Sequence, residues 1–347
     1  IESLKVQSPL SRAAFFVPIS SLKMCKTGTK ATTAKAVIAA VSGVAVATVD
    51  RPVPAVGEVV IQVAALGLCR TDLRVISGEI DTARPRIPGH EFSGIIDSVA
   101  SDVSPLQPGD RVAVNPVFPC GQCRYCDDQR SDICQQTRFL GVDLNGALAE
   151  FVAVPAHSVH AIPDSLSYAE AAFSEPMCAS LAVLKSGIQP HQRGLILGHN
   201  RIAELTRRVL VANQFHDITV LPADFQDLPQ DAFDFAIETV ATTETIHALC
   251  HSVVPGGRVI LKSRQPDPVQ ITVSKLLPRE VTLCAVNYGC FQHAVNLLAD
   301  RVVKVDDLIG PRFSLNDFAS AVDLAERDEL RKIFIEPNAE LSSDPGA

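Results

Sequence analysis

Cys120, Cys123, Cys126 and Cys134 follow one another at spacings of three, three and eight residues. A loop this short lets four sulfurs converge on one cation, and a zinc site closed by four protein ligands is structural, with no position left for substrate. Two disulfides or an iron–sulfur cluster would use the same four residues. Disulfides suit small secreted domains, and nothing in the composition marks this chain as secreted. Structural zinc is therefore the expected occupant. Such a loop holds structure but performs no chemistry, so the reactive groups must lie elsewhere. Three other segments offer them: Gly67-Leu-Cys69-Arg-Thr71-Asp72, Gly89-His90-Glu91 and Ser174-Glu175-Pro176. Cys69, His90 and Glu175 would give a thiolate, an imidazole and a carboxylate, and three ligands leave a fourth position open, as a catalytic zinc requires. Singly, each residue is more often core or ordinary surface. Their joint occurrence around the four-cysteine loop carries the expectation.

The elements that must position these groups fall into two patterns. Ala36–Ala40, Val44–Val49, Glu58–Leu66 and Glu91–Val99 are short β-branched runs separated by turn signals such as Pro108-Gly109-Asp110. Val112–Val114, Ala149–Val154 and His160–Ile162 continue the series, which predicts a compact, barrel-like β unit. After Pro163 the pattern turns helical. Gly194–Leu197, Ile218–Leu221, Phe233–Ile237, Val259–Lys262 and Val281–Val286 then read as buried strands alternating with helices, which predicts a doubly wound parallel sheet. Two amphipathic helices and a last strand, Lys332–Ile335, end the pattern. The expected division is 1–35 as a leader-like or flexible tail, 36–180 as the β-rich domain, 181–288 as the parallel-sheet domain, and 289–347 as a returning C-terminal segment. The first 35 residues carry six basic side chains against Glu2 alone, and Met24 stands just before the regular pattern. That composition fits a transit-like leader, a plain tail or an expression remnant.

The turn after Gly194–Leu197 is a candidate phosphate cradle, but an altered one. Aligned as G-x-G-x-x-G it offers Gly198, Asn200 and Ala203. Gly198 can make the tight turn and Ala203 is acceptable at the third place, whereas Asn200 brings a side chain into the approach to the pyrophosphate. Arg70 and Arg201 can supply compensating positive charge. Asp224 is the nearest acidic candidate for the adenosine ribose. Only a short stretch interrupted by Pro222 and Pro229 joins Leu221 to Asp234, where a parallel crossover needs about a dozen residues or more.

Taken in order, Gly-Leu-Cys-x-Thr-Asp, Pro-Gly-His-Glu, Pro-Gly-Asp-Arg-Val, Cys-x2-Cys-x2-Cys-x7-Cys and Glu-Pro resemble the medium-chain dehydrogenase/reductase superfamily, in its zinc-dependent alcohol dehydrogenase-like branch. The resemblance spans about residues 36 to 336. It implies an α/β protein, with a GroES-like β-rich catalytic domain, a shortened Rossmann-type sheet, and a C-terminal return to the catalytic domain. It also implies Cys69, His90 and Glu175 as catalytic zinc ligands, Glu91 as a carboxylate behind them that can exchange with a water ligand, and Thr71 as the hydroxyl that relays the alcohol proton. Where one branch carries an outer relay histidine, this chain has Arg74, so its relay would be shorter or use water.

The expected activity is zinc-dependent hydride transfer between an alcohol, such as a polyol or other small secondary alcohol, and NAD or NADP. Two other readings stand beside it: a zinc-stabilised binding or regulatory protein with a degenerate cofactor site, and a lyase or hydrolase using an open zinc without nicotinamide. A net charge of −8 argues against nucleic acid as a partner, because phosphate binding needs a basic face. No apolar run reaches membrane-spanning length. Ten cysteines suggest a reducing compartment, with a cytoplasmic location expected unless the basic leader directs the chain to an organelle. Cys25, Cys178, Cys250, Cys284 and Cys290 lack cluster spacing and are expected to be buried small hydrophobes. A homo-oligomer is expected through an apolar edge strand at Val281–Val286.

Overall fold

The computed structural model describes residues 33–225 and 227–342. Expectations placed on residues 1–32, including Cys25, therefore lie outside the described residues. The first strand already begins at Thr33. In chain order the β-rich part contains β1 (Thr33–Ala40), β2 (Gly43–Asp50), β3 (Glu58–Gly67), α1 (Arg70–Ser77), β4 (Glu91–Val99), β5 (Arg111–Val114) and β6 (Val117–Phe118). It continues with α2 (Arg124–Asp127), β7 (Arg138–Phe139), β8 (Phe151–Pro155) and β9 (Val159–Ala161). Two buried helices, α3 (Tyr168–Ala172) and α4 (Ser174–Leu181), follow, and a Ser167–Glu170 capping box starts the first of them.

The second pattern comprises β10 (Gly194–Leu197), α5 (Arg201–Ala212), β11 (Ile218–Leu221), β12 (Phe233–Glu238), α6 (Thr243–Ser252), β13 (Val253–Leu261), α7 (Val273–Leu276) and β14 (Thr282–Ala285). Its strands form one parallel sheet in the order β11-β10-β12-β13-β14. The uninterrupted apolar run of β10 is buried throughout, as a strand covered on both faces requires. The crossing from β11 to β12 passes β10 without a helix among the described residues. Leu228 fills part of that gap by packing with Leu195, Leu197 and Phe233. The shortness read from the sequence thus leaves β11 as a half-buried edge.

The last elements are α8 (Phe291–Ala299), β15 (Ile309–Phe313), α9 (Phe318–Arg327), β16 (Lys332–Ile335) and α10 (Ala339–Ser342). β15 and β16 leave the parallel sheet and join a seven-stranded one, in the order β15-β16-β3-β4-β5-β9 with β8 also on β3. Phe334 lies opposite Gly67 and Ile335 opposite Leu66, so the end of the chain is registered against the residues just before Cys69. Side chains from both ends of the chain, including Ile61, Leu66, Phe92, Phe318 and Ile333, share one apolar core. Among the described residues no helix is long and apolar enough to cross a membrane. Cys178 and Cys250 are buried as expected and Cys284 is half-buried, whereas Cys290 is exposed where it caps the start of α8.

Candidate active site

The thiols of Cys120, Cys123, Cys126 and Cys134 converge with all four sulfurs within 4.8 Å of one another. Sulfur separations are 3.6 Å for Cys123–Cys126, 3.8 Å for Cys123–Cys134 and 3.6 Å for Cys120–Cys134. A tetrahedron with metal–sulfur bonds of ~2.3 Å has an edge of about 3.8 Å, so the loop is shaped for zinc. No pair among them is a disulfide. The Cys120 backbone N–H, 3.4 Å from Cys134 Sγ, leads the interactions that lower the Cys134 thiol to about 6, which favours the thiolate a metal binds. The loop is tied to the rest of the molecule through Asp132, which pairs with Arg130 and with Lys185.

The second metal set is built by short-range helix chemistry and long-range strand pairing. Cys69 is the N-cap of α1, and its backbone N–H donates to Asp72 Oδ2 at 3.0 Å. The other Asp72 oxygen accepts from the Gly89 N–H at 3.0 Å and meets His90 Nδ1 at 2.9 Å. One buried carboxylate therefore joins the Cys69 turn to the His90 strand. Gly89 has φ of +102°, and a Cβ there would lie 2.6 Å from the Leu148 backbone nitrogen, so the approach to His90 requires glycine. Burial lowers the basicity of His90, but the Asp72 carboxylate and Cys69 outweigh it and hold the imidazole well above 6.5. A carboxylate behind a ligating histidine fixes its tautomer and strengthens it as a donor.

Cys69, His90 and Glu91 bring one donor atom each within 4.8 Å of one another. The carboxylate of this group is Glu91, whereas the resemblance implies Glu175 with Glu91 behind it. The surroundings account for the difference. Glu91 is anchored by the buried Lys332 ammonium, delivered by β16, which also lies 3.5 Å from the Leu68 carbonyl. Glu175 instead accepts from the Tyr288 hydroxyl. Burial, and then the neighbouring Glu91 carboxylate, push the Glu175 carboxyl upward. Two carboxyl groups thus stand close together, Glu91 paired with Lys332 and Glu175 biased toward its protonated form. A thiol, an imidazole and a carboxylate suit zinc and leave a position open, so the residues present fit a catalytic zinc.

Asp72, Lys332 and Tyr288 were not singled out by sequence reasoning. For Asp72 a signal existed, since it stands three residues after Cys69 at capping-box spacing. For Lys332 and Tyr288 none did, because each reaches the site from a distant segment. A wall of rings continues outward: His90 and Phe139 centroids are 4.9 Å apart, and Phe139 stacks at 6.4 Å on Tyr288. Lys262, just after β13, is buried nearby, and burial followed by the adjacent Arg264 guanidinium lowers it to about 8. Thr71 lies half-buried in the first turn of α1, beside Cys69.

At the turn into α5, Gly198 has φ of +135°, and a Cβ there would sit 1.9 Å from Thr239 Oγ1. Asn200 is the helix N-cap: its Oδ1 accepts from the Ala203 N–H at 3.0 Å and its Nδ2 donates to Thr239 Oγ1 at 3.0 Å. The intruding side chain is therefore seated and itself satisfies a helix N–H that a phosphate would use. The expected phosphate arginines are engaged as well. Arg70 pairs with Glu329 at 2.7 Å, and Arg201 donates its backbone N–H to the Glu329 carbonyl at 3.0 Å and its guanidinium to the Leu330 carbonyl at 3.5 Å. A cavity of about 140 Å³ beside Gly198, Asn200 and Ala203 is bounded by Leu330. Asp224 is exposed, three residues beyond the end of β11.

Comparison with known proteins identifies the family of this chain. The family model for the alcohol dehydrogenase GroES-like domain matches residues 55–164. D-altritol 5-dehydrogenase of Agrobacterium fabrum (strain C58 / ATCC 33970) is 32% identical over 231 residues, which cover 59% of this chain and 68% of that protein. Sorbitol dehydrogenase of Bacillus subtilis (strain 168) is 28% identical over 333 residues, 83% of this chain and 93% of that protein. A candidate zinc-binding dehydrogenase from Sinorhizobium meliloti 1021, solved bound to NADP, has a TM-score of 0.79 at 25% identity and covers 88% of this chain and 100% of its own. The chain belongs to the zinc-dependent alcohol dehydrogenase-like branch of the medium-chain dehydrogenase/reductase superfamily, and is a zinc-type alcohol oxidoreductase.

Proposed function

We propose that the protein oxidises a secondary hydroxyl of a sugar alcohol, and reduces the matching ketose, with NAD or NADP and one catalytic zinc. The observation that carries this reading is the convergence of Cys69, His90 and Glu91 within 4.8 Å, backed by Asp72 and Lys332. The polyol names of the sorbitol and D-altritol dehydrogenases support the substrate class. In this reading Cys69, His90 and Glu91 hold the zinc, and Glu175 is the carboxyl beside it that can exchange with Glu91. When bound, the metal supplies Lewis acidity and the nicotinamide accepts the hydride. Asp72 keeps His90 in one tautomer, and Lys332 holds Glu91 in place. The Thr71 hydroxyl would accept the substrate proton while passing its own to water, since Arg74, paired with Glu79 at 3.3 Å, is no outer relay. Arg70, Gly198, Arg201, Ala203 and Asp224 would face the dinucleotide, with Asn200 giving up its cap when phosphate enters.

The same reading assigns residues 36–180 and the C-terminal return to the catalytic domain and 181–288 to the cofactor domain. It pairs two copies through β14, the edge strand of the parallel sheet. The test is oxidation of a panel of alditols by zinc-loaded protein, followed as NADH or NADPH formation. Turnover that stops with chelator and returns with zinc is the expected result. Absence of dinucleotide reduction with every alditol, together with failure to bind NADH or NADPH, would sink the proposal.

A further inference from the structure

We propose that the alcohol substrate carries an anionic group, a carboxylate or a phosphate monoester, and that the Arg264 guanidinium at the mouth of the metal site recognises it. The inference rests on the polyol dehydrogenase reading above and deepens it by naming the charge class of the substrate. Arg264 follows β13 by three residues, at the carboxyl end of the parallel sheet, where open α/β sheets bind their ligands. Its guanidinium lies 5.8 Å from the Phe139 ring centroid and 5.2 Å from that of Tyr288. Phe139 packs on the proposed ligand His90, and Tyr288 holds Glu175. The cation is thus one ring away from the reacting centre.

Arg264 faces the Tyr288 hydroxyl and, behind it, the Glu175 carboxyl, but neither forms an ion pair with it. Its guanidinium donates to the neutral Asn287 Oδ1 at 2.7 Å, and no ion pair among the described residues includes it. A second cation stands beside it, since Lys262 Nζ lies 3.4 Å from the backbone carbonyl of the same Asn287. The acidic groups around this pair hold other partners, although Glu238 Oε1 is left without one. Glu175 accepts from Tyr288, and Glu238 Oε2 accepts from the backbone N–H groups of Lys262 and Ser263. Arg74 adds a further guanidinium, donating to the Arg264 carbonyl at 3.3 Å while its own charge is paired with Glu79. Arg264 is exposed, so it can meet a ligand without first leaving a buried pair. A planar guanidinium braced by rings presents a fork that fits a carboxylate or a phosphate equally.

The experiment is isothermal titration of the zinc-loaded full chain with D-sorbitol, D-sorbitol 6-phosphate and D-gluconate, with five-carbon counterparts in parallel. It is repeated on Arg264→Met and Arg264→Lys. At least one anionic form is expected to bind the wild type tenfold or more tightly than the neutral alditol. Which of the two does so separates phosphate from carboxylate. The gap should collapse below threefold in Arg264→Met and be partly kept in Arg264→Lys, a pattern that a merely structural arginine would not produce. A wild-type gap below threefold, including no measurable binding of the charged forms, overturns the inference, as does a gap that survives Arg264→Met. Reduction of NAD and NADP is recorded on the same panel. Anions bound through Arg264 but never oxidised would leave this site standing and refute the dehydrogenase reading. A neutral alditol oxidised without any charge preference would do the reverse.

Discussion

The metal site on the seven-stranded sheet and the phosphate turn on the five-stranded one are held together differently. Around Cys69 each donor is braced by a partner from another segment: Asp72 behind His90, and Lys332 behind Glu91. At the start of α5 the would-be phosphate donors are satisfied by the chain itself, through Asn200 and the carbonyl of Glu329. Metal binding needs three side-chain atoms within a few ångströms, which only a rigid, cross-braced frame delivers. Phosphate binding uses backbone N–H groups that other acceptors can occupy meanwhile, so a substitution there costs affinity rather than the site. The account therefore expects large effects in the first region and small ones in the second.

His90→Ala should have the largest effect, lowering kcat/KM by at least ~1,000-fold while the fold persists, since removing a ligand forfeits several kcal/mol of Lewis-acid stabilisation. Steady-state kinetics with circular dichroism as a folding control would check it, and a loss below tenfold would blur the contrast between the regions. Lys332→Met comes next. It strands the buried Glu91 carboxylate, and breaking a buried pair from one side costs about 3–5 kcal/mol, to be read by denaturant unfolding. Adding Glu91→Gln should recover part of that loss.

Asp72→Asn preserves shape but removes the charge behind His90. Zinc affinity measured by chelator competition should fall by ~10–100-fold. An unchanged affinity would show that the frame alone positions the imidazole. The smallest effect is expected at the phosphate turn. Asn200→Gly should tighten NADH or NADPH by about 1 kcal/mol, a factor of several, at a cost of a few tenths of a kcal/mol in helix capping. Fluorescence titration of both dinucleotides would read it, and weaker binding in the variant would mean that Asn200 itself holds the cofactor.

The difference between the regions also governs what could be read in advance. The four-thiol loop was legible because its ligands lie within fifteen consecutive residues, where spacing dictates geometry. The parallel sheet and its missing crossover helix were legible from buried runs and from the short link between Leu221 and Phe233. The convergence of Glu91, rather than Glu175, with Cys69 and His90 was not, because the two carboxyls are held by Lys332 and Tyr288, which arrive from segments over a hundred residues away. Nor was the seating of Asn200. An asparagine in a glycine's place reads as an obstruction until Thr239, at the end of the neighbouring strand, is seen to receive it.

The central claim, that one lobe carries a closed zinc and an open zinc with separate duties, is tested most directly by counting zinc per chain in three proteins. Elemental analysis should find two ions in the wild type and one each in Cys123→Ala and His90→Ala. Thermal stability should fall steeply only when the four-thiolate site is lost. Two ions retained by Cys123→Ala with unchanged melting, or only one ion in the wild type, would contradict the account.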